Sequence, residues 1–272
     1  MRTSSNPAFR NLPVGSAAGA PYAGYDQPGY GAPQTATGAD DRPMTVDDVV
    51  MKTGAAIGTA LLTGVITAIW ARGEMLDAIA AGGSSGAVFG VMIVALLAGL
   101  GLALFISFKQ KASAGLTLAY SAVEGVFLGA ITGMFELMVP GVALQAILGT
   151  ALVFVTMLVV YKTGAVKVTP KLRKWVIGAA AAAFGLILVN LLLSFVGIDL
   201  GVRGNGTLGI IVGLVFIGIA AFMLLLDFDM ADNMIRAGMP QKWAWFAAFG
   251  LMTTLVWLYF EMIRLLWALQ SE

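Results

Sequence analysis

The chain has 272 residues, 59% of them hydrophobic and only 11% charged, with sixteen basic and fifteen acidic side chains. A soluble domain carries about 25% charged residues to cover its surface, so this chain needs lipid as the solvent for most of its exterior. Cysteine and histidine are both absent, which excludes disulfides, thiolate nucleophiles, imidazole metal ligands, Ser-His dyads and the usual histidine pH switch. Any response to pH has to run through carboxylates or amines.

Residues 1–44 differ in composition from the rest. They are rich in Gly, Pro, Ala, Ser and Tyr and poor in large aliphatics, too little apolar material to offset the entropy of ordering, and they read as a disordered tail. Tyr22, Tyr25 and Tyr30 are its candidate docking residues. No apolar core follows a basic start, so the segment does not read as a secretory signal. Thr45 is a good N-cap, with Asp47 and Asp48 placed to favour the first helical turn.

From there on the pattern is one of membrane spans. A helix needs about 20 mostly apolar residues to cross the hydrocarbon, and five uncharged runs provide them: Thr53–Ala71, Val88–Phe108, Val142–Val160, Val176–Ile198 and Gly204–Leu226. Two further runs contain carboxylates. Residues 112–135 carry Glu124, and about 243–270 carry Glu261 and Arg264. The expected architecture is all-α, a seven-transmembrane-helix bundle over residues 45–272.

Basic residues set the orientation. The head and the links 109–111, 162–174 and 228–242 hold 4, 2, 5 and 2 Lys and Arg, a total of 13; the other side holds Arg72, Arg203 and Arg264. By the positive-inside rule the N-terminus is expected in the cytoplasm. Topology also accounts for the basic stretch Lys162, Lys167, Lys171, Arg173 and Lys174 without nucleic acid. The count leaves open a re-entrant final segment, which would move Arg264 to the other total. Gly125, Gly129 and Gly133 recur every fourth residue, and Gly54/Gly58 and Gly209/Gly213 repeat the spacing. Such ridges let helix backbones approach closely in lipid.

Charge inside the spans is costly and points to function. Glu124 lies near the middle of the third span and is a candidate pathway acid. Asp227 closes the apolar run of the sixth span. Glu261 lies deep in the last one, with Arg264 three residues on and on the same helix face as its candidate partner. Enzyme chemistry finds no support. Gly83-Ser84-Ser85-Gly86 is similar to the serine turn of intramembrane proteases but has no histidine base. Glu261 also lacks the glycine-rich setting of an aspartyl protease.

Seven spans, Glu124-Gly125 in the third, Leu225-Leu226-Asp227 in the sixth and Leu258-Tyr259-Phe260-Glu261-Met262-Ile263-Arg264 in the last resemble the Bax inhibitor-1 family of transmembrane Bax-inhibitor-motif proteins. The head, Ser5-Asn6-Pro7-Ala8-Phe9, is similar to the bacterial branch. The resemblance implies a plasma-membrane calcium leak gated by pH, with no bound cofactor and calcium as the transported ion. In the family an acidic pair on the last two helices senses pH, which here implies Asp227 and Glu261 as sensor and tentative calcium ligands. A basic residue near the end of the second helix implies Lys109, or else Lys111, as counter-cation, where arginine is typical. Two such carboxylates would share a proton and titrate as a unit. They meet only if about 240–248 lies at the interface; in a simple hairpin they are offset by about 13 Å. The rival expectation is a non-transporting regulator that binds a membrane protein such as a protease.

Overall fold

The computed structural model describes residues 42–198, 200–204 and 206–270. Seven helices follow one another: α1 (Val46–Ala80), α2 (Gly86–Lys109), α3 (Ala114–Met138), α4 (Val142–Thr163), α5 (Pro170–Ser194), α6 (Thr207–Arg236) and α7 (Ala244–Gln270). All seven are long and apolar enough to cross a membrane. The expected all-α, seven-helix bundle is what the chain forms.

Two helix boundaries differ from the hydropathy reading. Thr169 accepts a hydrogen bond from Leu172 N and Pro170 sits in the first turn, so α5 starts six residues before Val176. Asp227 does not end the sixth span, because α6 continues through Arg236. Its last turns are polar but held: Asp229 pairs with Arg173 at 2.6 Å and Asp232 with Arg236 at 2.7 Å. Tyr161 also donates to Asp232 at 3.0 Å.

The tail boundary moves as well. The Thr45 hydroxyl accepts from Asp48 N, and the Asp48 carboxylate accepts from Thr45 N, a reciprocal cap. Asp48 also accepts from Arg42 and Gln241. Met44 N donates to Met239 O and Gln241 N to Arg42 O, each at 2.8 Å. Residues 42–44 are therefore fastened to the α6–α7 turn, and the expected boundary at 44 falls inside ordered structure. Residues 1–41, including the three tyrosines, lie outside the described residues.

α7 is the central helix. It packs against α1, α3, α4 and α6, whereas α2 packs chiefly on α3 and α5 on α6. The turn before it is tight: Gly238 takes a φ of +64°, open to glycine without a Cβ clash, and one 3-10 turn, Gln241–Trp243, leads directly into α7. The helix starts beside residues 42–44 and ends where Gln270 Nε2 donates to Gln145 Oε1 at the start of α4. Three helices separate that end of α4 from the start of α1, so α7 crosses the whole bundle. The final segment is not re-entrant, and Arg72, Arg203 and Arg264 lie toward the face opposite residues 42–44.

One glycine ridge has its expected role. A Cβ on Gly133 would stand 2.7 Å from Ala68 O, and those on Gly125 and Gly129 would strike Ala60 O and Gly64 O. The backbones of α1 and α3 are in direct contact there. The other ridges differ. Gly54 and Gly58 face open space, and Gly213 makes room for Arg264, whose Nη2 would lie 2.9 Å from an added Cβ.

Candidate functional site: the membrane-embedded carboxylates

The helix lengths place two of the singled-out acids and one hydroxyl at one depth. Asp227 lies nine residues before the end of α6, Glu124 ten after the start of α3, and Thr254 ten after the start of α7. All three helix ends are on the face of residues 42–44, so each group is about 14–15 Å inside it. At this level the Thr254 hydroxyl donates to Asp227 Oδ2 at 2.5 Å. Gly250 of α7 lies beside this contact; a Cβ there would stand 3.7 Å from Asp227 Oδ1 and 3.2 Å from the Met230 methyl carbon. On the adjoining side of α7, the Tyr120 hydroxyl meets both Thr253 and Glu124, whose carboxyl rests against Gly99 of α2. Asp227 and Glu124 are both half-buried, and among the described residues neither has a cationic partner.

Glu261 lies seven residues beyond Thr254, about 10 Å further along α7. It is wholly buried. Its Oε1 accepts from Arg203 Nη2 at 3.2 Å, and its Oε2 from Arg264 Nε and Nη2 at 3.1 and 3.0 Å. The expected Asp227–Glu261 pair is therefore not formed. Because α7 begins at Ala244 and descends at once, the axial offset of a simple hairpin persists. The residue that α7 presents to Asp227 is a hydroxyl, Thr254. Both Glu261 oxygens are engaged by guanidinium groups, and two positive charges there oppose a divalent cation. Among the described residues no group of three or more acidic side chains forms a metal site.

The two expected cations separate in the same way. Arg264 does pair with Glu261, as the i, i+3 spacing predicts. Lys109 is exposed at the end of α2, a helix packed on α3, and among the described residues it makes no ion pair. Sequence reasoning missed two residues. Thr254 carries no charge, so a search for intramembrane charge passes over it. Arg203 sits in the α5–α6 loop and enters the count only as a topological marker. Burial, partly offset by Glu261 and reinforced by the nearby Arg264, pushes the Arg203 guanidinium below its ordinary value. The signal for Arg203 was its place among only three basic residues, with Arg72 and Arg264, on the face poor in them.

Seven apolar helices, six of them arranged about the last, with carboxylates inside the bundle, define a multi-pass membrane protein that contacts the lipid bilayer. A family model described as Bax inhibitor 1 like matches residues 6–271, nearly the whole chain. The chain belongs to that family. No curated protein sequence matches it.

Proposed function

We propose that the protein is a pH-sensitive cation leak of the plasma membrane, with calcium as the transported ion and the N-terminal face in the cytoplasm. The observation that supports this reading is the polar level around α7, where Asp227 and Glu124 meet hydroxyl groups and, among the described residues, no cation. A carboxylate inside a bundle needs a counter-charge or a proton, and one without a protein cation can exchange its proton for a passing metal ion. Calcium takes 6–8 oxygen ligands. Asp227, Thr254 and Glu124 supply some at one depth, and water and backbone carbonyls would supply the others.

The hydroxyl partner changes the gating physics. Two ionised carboxylates would repel and push α6 from α7. Thr254 donates equally well to an ionised Asp227, so losing a proton adds charge at this level without breaking the contact. Cation flux should therefore rise with pH, through attraction to the charged form. Glu261 is assigned to holding the far half of the bundle.

Calcium entry into dye-loaded liposomes, measured across about pH 5 to 8, tests this. Asp227→Asn should flatten the pH dependence and Glu261→Gln should retain it. No flux above empty liposomes from folded protein would replace the leak with the partner-binding regulator.

A further inference from the structure

The Arg203–Glu261–Arg264 cluster has an imbalance that its own contacts do not remove. It holds two guanidinium groups and one carboxylate, a surplus of one positive charge. The side chains of Glu261 and Arg264 are 0% and 5% exposed, and that of Arg203 is 18% exposed. Their hydrogen bonds use Nε and Nη2 of Arg264 and Nη2 of Arg203. The remaining nitrogens, Arg203 Nη1 and Arg264 Nη1, are both buried and have no partner among the described residues.

Buried donors on charged groups are expensive to leave unmade, and unmatched ones call for a water or an ion. Water would satisfy the N–H groups but leave the charge. The surroundings do not supply it either: Arg203 stacks over the Phe260 ring at 5.2 Å, and Gly213 and Leu265 cover Arg264. A guanidinium pair with free Nη groups is built to recognise an anion. Gly213 gives the site its room, since any side chain there would displace Arg264.

We propose that the Arg203–Glu261–Arg264 cluster binds one small, singly charged anion through the two free Nη1 groups. The class includes halides and the phosphodiester of a lipid headgroup. The anion completes a neutral four-member cluster and fixes the α5–α6 loop to α7. This assignment is independent of the leak at Asp227, which lies on the other half of α7.

The test uses the full-length, delipidated protein in detergent. Thermal stability is compared in sodium gluconate, sodium chloride and sodium bromide at equal ionic strength, and in gluconate with added phosphatidylglycerol. Chloride and bromide are expected to raise Tm by about 3 °C with saturation. Arg203→Gln leaves a neutral Glu261–Arg264 pair and should lose the response. A response to phosphatidylglycerol alone, lost in Arg203→Gln, would identify the anion as a phosphodiester. Equal Tm in all four conditions would overturn the proposal. An unchanged response in Arg203→Gln would overturn it too, by placing the anion elsewhere. Should that variant not fold, bromide-soaked crystals of the unaltered protein decide: anomalous bromide density or a lipid phosphate within hydrogen-bonding distance of an Nη1 supports the site, and the absence of both there refutes it.

Discussion

The Thr254 hydroxyl donates to Asp227 Oδ2 at 2.5 Å, joining α6 to α7 about halfway through the bundle. Thr254 is 5% exposed, and the contact lies beside Gly250 of the same helix. The hydrogen bond is thus both a clamp between helices and the immediate environment of the acid assigned to gating.

Thr254→Val keeps the shape and removes the donor. The loss should be about 1–3 kcal/mol, the cost of leaving a buried acceptor unmade, read as a drop in Tm. Asp227→Asn keeps an acceptor for Thr254 and should cost less. Equal losses in the two variants would show that the hydroxyl contact is not what holds α6 to α7.

Thr254→Asp should create the carboxyl pair that this chain lacks. Two carboxyls within hydrogen-bonding reach hold one proton between them in the folded state, whereas both ionise when the chain unfolds. The folded form then binds more protons, so stability is present at low pH and falls as pH rises. The variant's Tm should decline from about pH 5 to 8 while the parent's changes less. Parallel curves would separate Asp227 from position 254.

At the far cluster, Glu261→Gln leaves two buried guanidinium groups facing a neutral amide. Breaking a buried ion pair on one side costs about 3–5 kcal/mol, and a marked fall in Tm or expression is expected. Replacing Arg203, Glu261 and Arg264 together by apolar residues should be tolerated better than Glu261→Gln alone, because no uncompensated charge remains.

Gly129→Ala should destabilise by about 1–3 kcal/mol, since its Cβ would strike the backbone at Gly64 O and overpacked contacts carry that cost. Gly54→Ala faces open space and should be neutral or slightly stabilising, as alanine is the better helix former. Comparing the two in one thermal assay separates a packing glycine from a merely repeated spacing.

The cysteine-free sequence makes topology directly measurable. Single replacements Ser84→Cys and Lys167→Cys are both at exposed positions, in the α1–α2 and α4–α5 links. In intact cells an impermeant maleimide should label Ser84→Cys and spare Lys167→Cys. The reverse pattern would invert the orientation drawn from the basic residues.

The sequence alone determined that this is a seven-helix membrane protein and which acids lie inside it. Lipid demands about 20 apolar residues per crossing and penalises every charge, so spans and buried carboxylates show directly in composition. The Arg264–Glu261 contact was legible for a similar reason, because i, i+3 spacing is local. What only the tertiary structure decided was which groups meet across helices. A residue's depth depends on where each helix starts and how the α6–α7 turn feeds α7, and 1.5 Å of rise per residue accumulates into about 10 Å between Thr254 and Glu261. That offset gave Asp227 an uncharged partner and sent Glu261 to a loop arginine 58 residues away in sequence.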